Sequence, residues 1–477
     1  MALSAAKIKF LQGQVAAYRE HLEYDHKLYL IYKGALLQFV IKALYAQMSG
    51  QSAKIAEARI PPINVLQKII NKLSRLYAGG VARNVENTTK EGADETALKF
   101  YSDQMKPDQV MTIACQFVNL TKRALIQPYL STVTGKPIPS LRVIPSHSFI
   151  AYSESKNEPE KATGFIICKG TVDVQGKKTK LYYVIEKDQF GYFTSDGDDV
   201  TSAFAPADNP DGKNELGVIP LVYINQDPQH VMPIQDSDTA QMATLVPLIL
   251  TDANFANMFQ SFSIIYTVDV DDGSFRYAPN ARWSFKSDPA QQKTPQVGTL
   301  TPTADTNNTL NLVANQLAFW LQTKDVKPGA IGEISATNFS SGISKIVDEM
   351  DTSENRKDQI PVMQDAERQL WDLVLHQLNP QWIKNADFEF KAQVSPTATV
   401  VTRFVDQIPL MRRGALLKDL ALEVTEGFNT KKRAMAQYHV ELSSDELDTL
   451  IAEIEAEKAA KAPPAAPTTT PNPEPAA

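Results

Sequence analysis

Cysteine is nearly missing from this chain: among 477 residues only Cys115 and Cys168 occur, too far apart to anchor a disulfide framework or a zinc knuckle. A reducing, intracellular site of synthesis follows as the default. The first ten residues also lack a basic segment followed by an apolar run, so no cleavable signal is read there. Long apolar runs are missing too. Leu28 to Tyr45 is the most apolar stretch, but Lys33, Gln38 and Lys42 interrupt it. Each lysine costs about 2.5–3.5 kcal/mol at a bilayer centre, so a core helix is expected and no membrane partner. An excess of positive charge is lacking as well. The net charge of -7 argues against wrapping nucleic acid over most of the surface and leaves room only for local basic patches.

The motifs of common catalysts are equally scarce. No GxxxxGK[ST] phosphate cradle, GxSxG elbow, HExxH pair or paired CxxC occurs, so the chain is expected not to be an enzyme and to need no cofactor. The six histidines, His21, His26, His147, His230, His376 and His439, are scattered and read as ordinary surface or core residues. Asp269, Asp271 and Asp272 resemble the start of a calcium loop. Gly273 is out of register and no glutamate follows at the required distance, so a turn is expected. Asp196, Asp198 and Asp199 are discounted in the same way, leaving no metal site.

What is present is length enough for two or more domains, with charge unevenly spread. Residues 1–83 hold 12 Lys and Arg against 4 Asp and Glu, whereas Glu441–Glu457 holds 7 acids and no base. The chain is organised around residues 326–379, where a glycine-rich loop feeds one long helix. Ile343, Ile346, Val347 and Met350 recur at helical spacing, and Ile360, Met363, Leu370, Val374 and Leu378 continue the stripe. A helix from Ser341 to Leu378 would span roughly 55 Å. Pro361 predicts a kink near Arg356–Pro361. In the loop, Ala330, Ile331, Ile334 and Phe339 are too apolar for a freely solvated linker. They suit either a loop packed on the helix or a mobile loop lining a passage.

Taken in order, Lys7–Met48 reads as one or two helices. Further helices follow at about Ile63–Tyr77, Asp94–Met105 and Asp108–Tyr129. From Leu141 the texture turns to period-two runs: strands at Leu141–Ile144, Phe149–Tyr152, Thr163–Lys169, Lys180–Glu186, Gln189–Thr194 and Ile219–Tyr223, forming an antiparallel sheet packed on helices. Asp236-Ser237-Asp238 offers N-caps for a helix through Phe262, with Pro247 a kink. Ile264–Val270 and Phe275–Phe285 read as a hairpin-like insert around an Asp271-Asp272-Gly273 turn. A helix at Thr309–Thr323 precedes the glycine-rich loop. Beyond the long helix, Phe388–Val394 reads as a strand, Ile408–Leu420 and Ser443–Glu457 as helices, the last opened by a Ser443/Glu446 capping box, and Lys461–Ala477 as disordered. The fold class is α+β, mainly helical.

Four segments carry a family likeness: KIINKLSRLYAGGVARNV (Lys68–Val85), LRVIPSHSFIAY (Leu141–Tyr152), ELGVIPLVYINQD (Glu215–Asp227) and SSGISKIVDEMDTSENRKD (Ser340–Asp358). None is a strict fingerprint, but their order and spacing over residues 10–455 resemble a tailed-phage portal protein, the head-to-tail connector ring. The resemblance implies a homo-oligomeric ring, usually a dodecamer, at one capsid vertex of the virion. Its parts would be a wing over 1–236 with a return strand at 379–405, stem helices over 237–262 and 306–325, and a clip over 263–305. A tunnel loop over 326–341, the long kinked helix over 342–378 and a helical crown over 406–460 complete it.

Implied partners are the major capsid protein and scaffold, the terminase large subunit, the head-tail adaptor, and duplex DNA held without sequence preference. A moving duplex demands weak phosphate contact. Lys324, Lys327 and Lys345, with Ile331, Ile334 and Phe339, are the DNA-channel candidates, though each lysine also reads as a solvated helix-end residue. Arg276, Arg282, Trp283 and Lys286 are the candidates for clip or partner binding. A different virion structural protein, of the neck, tail or baseplate, is the alternative.

Overall fold

Ser4 starts the first helix by accepting a hydrogen bond from the Lys7 amide at 3.2 Å, the expected N-cap geometry for a serine. The computed structural model describes residues 3–48, 50–61, 63–133, 135–174, 176–207, 209–261, 264–268, 296–300, 306–324, 342–404, 410–439 and 444–461.

The N-terminal region holds three successive helices, α1 (Ala5–Ala17), α2 (Arg19–Leu30) and α3 (Leu36–Gln47). Sequence spacing predicted one or two; the breaks fall at Tyr18 and at Gly34. Gly34 sits at φ 100° inside a widened turn, Ile31–Ala35. By length and composition Arg19–Gln47 is apolar enough to cross a bilayer. Here its Leu28, Ile31, Tyr32, Leu36, Val40 and Leu44 are buried in the larger of two cores. The short α4 (Gly50–Glu57), not expected from the sequence, and α5 (Val65–Leu73) follow.

Strand β1 (Val81–Glu86) comes next, then α6 (Glu91–Met105) and α7 (Pro107–Thr121). The spacing predicted that this last helix would reach Tyr129. Instead Lys122 takes a left-handed φ of 62° and the chain turns into β2 (Arg123–Ser131). The first four residues of β2 are all buried, so the alternation that marks a half-buried strand is absent and the run imitates a helix.

Two antiparallel sheets form where one was expected. The first is ordered β3 (Ile138–Ile144), β2, β8 (Val222–Asn225). The second runs β4 (Phe149–Tyr152), β5 (Gly164–Val174), β6 (Lys177–Glu186), β7 (Phe190–Thr194), and the small helix α8 (Thr201–Phe204) follows it. With α1 these sheets enclose the second core, around Leu11, Phe149, Ile166 and Phe193. Gly212 marks a tight approach: at φ 67°, a Cβ there would lie 2.2 Å from the Phe190 carbonyl oxygen.

Helix α9 (Ser237–Ser261) carries Pro247 within it and packs beside α10 (Thr306–Gln322). Between them β9 (Ile264–Val268) pairs antiparallel with β10 (Gln296–Leu300). The partner of the Ile264 strand is therefore Gln296–Leu300; the predicted Phe275–Phe285 strand lies outside the described residues. Helix α11 (Gly342–Asp372) passes across Pro361 and unwinds into a wider turn, Leu373–Leu378, before α12 (Asn379–Trp382).

No strand forms at Phe388–Val394. Phe388 and Phe390 alternate because both enter the large core, where Phe390 stacks on Phe100 at 5.0 Å and Phe388 meets it edge-on at 6.0 Å. The strand in this part of the chain is β11 (Thr399–Phe404), in antiparallel register with β1 from Val81 opposite Phe404 to Glu86 opposite Thr399. Three helices close the described chain, α13 (Leu410–Thr425), α14 (Lys431–Tyr438) and α15 (Ser444–Lys461). Ser443 of the predicted capping box and residues 462–477 lie outside the described residues. The fold is mainly helical α+β.

Candidate functional site

Of the candidate residues read from the sequence, Lys324 alone has a described side chain. Lys345 lies in the first turn of α11 with its side chain outside the description. Lys327, Ile331, Ile334 and Phe339, like Arg276, Arg282, Trp283 and Lys286, lie outside the described residues.

Lys324 belongs to a charged junction where the N-terminus of α9 meets the C-terminus of α10. Its ammonium lies 2.7 Å from Asp236 Oδ2 and 3.4 Å from Asp238 Oδ1, and Lys122 reaches the other Asp236 oxygen at 2.7 Å. Trp320 donates its indole N–H to Asp238 Oδ2 at 2.7 Å, and Tyr24 donates its hydroxyl to the Asp236 carbonyl oxygen at 2.5 Å. The placement follows helix electrostatics: carboxylates at the start of α9 and a lysine just past the end of α10 each complement the nearby macrodipole. Partial burial alone would push the Asp236 carboxyl up, but hydrogen bonds from Lys122 and Lys324 hold it below its ordinary value. A cavity of about 600 Å³ opens beside the junction, bordered by Asn119, Lys122, Asp236, Trp320, Lys324 and Gln359. The sequence offers the Asp236-Ser237-Asp238 run as N-caps and Lys324 as a DNA-channel candidate, and does not single out Lys122.

A second network fixes the long helix. Glu367, fully buried on α11, accepts from Arg83 Nη2 at 2.7 Å, Arg83 Nε at 3.0 Å, Trp371 Nε1 at 2.9 Å and Tyr77 Oη at 3.1 Å. Arg83 also reaches Asp108 at 2.7 Å. Burial works against the arginine charge, yet Glu367 and Asp108 hold its pKa above the ordinary value. Sequence reading passed over Glu367. The signal was there: it shares the stripe of Met363, Leu370, Trp371 and Val374, and a carboxylate in such a stripe needs a buried partner.

A third network ties α2 to the sheets. Arg123 and Asp25, both fully buried, pair at 2.5 Å, and Arg123 also contacts a His21 ring nitrogen at 3.0 Å. Burial pushes the Asp25 carboxyl up to about 6, against the opposing pull of Arg123. Burial, then the Arg123 charge, pushes His21 down to about 4. Burial likewise pushes the Cys115 thiol up to about 12, so it is held as an unreactive thiol. Among the described residues, no group of three or more His, Cys, Asp or Glu is placed to hold a metal ion. These networks brace helices against sheets; they do not assemble a nucleophile with a base.

No family model and no curated protein matches the chain. Among solved structures, a chain of "Neck of empty GTA particle computed with C6 symmetry" is similar over 78% of this chain and 89% of its own, at 11% identity and a TM-score of 0.35. At that level the likeness assigns neither a family nor a role.

Proposed function

We propose that this chain is the subunit of a portal-type ring, a non-catalytic conduit at one capsid vertex. It passes duplex DNA, docks a terminase motor during packaging and afterwards holds a head-tail adaptor. The observation that carries the reading is an order of elements: the helix pair α9–α10 encloses the ribbon β9–β10, and the chain then leads into α11 and returns to pair β11 with β1. That order matches the stem, clip, long helix and wing return that the sequence resemblance implies. A helix of 31 residues is about 47 Å long, and its stretch from Met363 onward is buried in the larger core.

With Lys324 committed to Asp236 and Asp238, the DNA-channel candidates that the sequence resemblance leaves are Lys327 and Lys345, with Ile331, Ile334 and Phe339. Arg276, Arg282, Trp283 and Lys286 remain the surface offered to motor or adaptor. The coarser form of the reading is a structural protein of a virion neck, tail or baseplate. Negative-stain images of the purified full-length protein separate the two. Rings with a central hole are expected; a compact monomer, or an assembly without a channel, overturns the conduit.

A further inference from the structure

A groove of about 950 Å³ lies between α1 and α2 on one side and strands β5, β6 and β7 on the other. Its floor on the sheet side is Cys168, Tyr182 and Phe193, which face one another across the three strands, with the two rings stacked at 5.2 Å. Val15 and Leu22 line the helix side. Phe39 also borders the groove, with the Lys27 ammonium 5.8 Å from its ring centre.

Around that apolar floor the charge is almost all of one sign. Among the described residues four cations border the groove, Arg19, Lys27, Lys178 and Lys180, against one carboxylate, Glu23, in a chain whose net charge is -7. Glu23 is taken by Arg19 at 2.9 Å, and Lys27, Lys178 and Lys180 have no ion-pair partner among the described residues. The acids on the neighbouring turns are already engaged: Asp196 pairs with Lys177 at 3.0 Å, and Asp173 accepts from the Gly176 amide at 2.8 Å. Lys178 and Lys180, two apart on β6, share a face with Tyr182 and stand about 7 Å apart, while Arg19 and Lys27 are spaced about 12 Å along α2. Like charges gathered around a cleft attract an occupant of the opposite sign. A single carboxylate answers one wall only. An occupant that answers both carries several acids over two helical turns or more, with apolar side chains for the floor. Duplex DNA offers the charge but presents phosphate and sugar where the floor calls for apolar groups.

We infer that this groove docks an acidic amphipathic helix of a partner protein, its apolar side chains on Tyr182 and Phe193 and its carboxylates between the lysines of β6 and the cations of α2. No described residue of α9, α10 or α11 borders the groove, so its use does not depend on the ring reading.

Cys168 is a built-in reporter of occupancy: it is half-buried in the groove floor, whereas Cys115 is buried and held as an unreactive thiol. The probe is a synthetic peptide, DELDTLIAEIEAE, the sequence of residues 445–457, which carries six acids, no base and four large aliphatic side chains at helical spacing. Added in excess to the full-length protein, it is expected to slow modification of Cys168 by N-ethylmaleimide at least about tenfold. The double variant Lys178→Glu/Lys180→Glu, at two exposed positions, is expected to lose that protection and keep the wild-type rate without peptide. Anisotropy of the fluorescein-labelled peptide reads the same binding directly, and decides the matter if Cys168 does not react in the peptide-free protein. Absence of binding at about 1 mM peptide overturns the docking site, as does undiminished binding to the double variant. Equal binding of a peptide whose acids are changed to amides removes the charge argument and overturns it too. Tighter binding of a short oligothymidylate assigns the groove to nucleic acid instead. Protection of Cys168 that grows with the protein's own concentration, without peptide, assigns it to a second copy; either result overturns the partner helix.

Discussion

Arg83 and Glu367, 284 positions apart in sequence, meet in a two-armed ion pair in which the carboxylate is fully excluded from water. The pair joins β1 to the buried half of the longest helix. Removing the Glu367 charge leaves the buried guanidinium with only the half-exposed Asp108, so Glu367→Gln is expected to cost up to about 3 kcal/mol of unfolding free energy, read from the urea midpoint. Combining Arg83→Met with Glu367→Leu removes both charges, and the double variant is expected to be more stable than either single one.

The junction at Asp236 separates two roles that sequence alone merges. Lys324 is 22% exposed and engaged by two carboxylates, so Lys324→Glu is expected to lower the melting temperature, with about 1 kcal/mol lost per broken partly exposed pair. Lys327→Glu is expected to reduce DNA packaging or retention. Normal packaging by Lys327→Glu removes the case for that residue at the DNA.

Gly34 has nothing within 4 Å of where a Cβ would sit, so crowding plays no part in its choice. Its φ of 100° does, because an L side chain is strained there. Gly34→Ala is expected to destabilise by about 1–2 kcal/mol through the backbone alone, measured by thermal unfolding. Gly13→Ala, within α1 and also with open space at its Cβ, serves as the control expected to be neutral or mildly stabilising.

Acid should loosen the joint between α2 and the sheets. The His147 ring lies tilted against His26 at 4.8 Å and Tyr29 at 4.6 Å, and burial, then the His26 charge, pushes it down to about 4. His21 is held similarly low. Both are neutral when folded and titrate near their ordinary value of 6.5 when unfolded, so their contribution is complete above pH 6.5 and is lost as pH falls toward 4. Asp25 has the opposite sign: raised to about 6, it takes up its proton earlier in the folded state and offsets part of the loss below that pH. The two histidines outweigh the one carboxyl, so the melting temperature is expected to fall between pH 6.5 and 4. His147→Phe, which keeps the ring packing, is expected to give a shallower fall.

Much of this architecture was legible because local patterns agreed with burial. The strand Phe149–Tyr152 has the bounds read from the sequence, and the α9 helix from Ser237 with its internal Pro247 and the helix across Pro361 lie where they were expected. The failures share a physical cause, which is tertiary context overriding local pattern. Strand β2 is buried on both faces and loses its alternation, while Phe388 and Phe390 alternate without any strand because they plug an aromatic cluster. Strand β1 is short and half-buried, and only its distant partner β11 makes it a strand. Of the site, the lysines were visible as charges, but their carboxylate partners were not, because Lys122, Asp236 and Lys324 come together only when helix ends meet in space.

The pairing of β1 with β11 also sets a timetable for biosynthesis. Glu86 leaves the ribosome 313 residues ahead of its partner Thr399, and at about 5–20 residues per second that is a wait on the order of 16–60 seconds. Throughout it, one edge of a nascent strand stands open to wrong partners, so a polypeptide released before Thr399 inherits a sticky edge as well as a missing tail. Premature termination in this gene is thus predisposed to yield aggregates rather than shortened, soluble subunits.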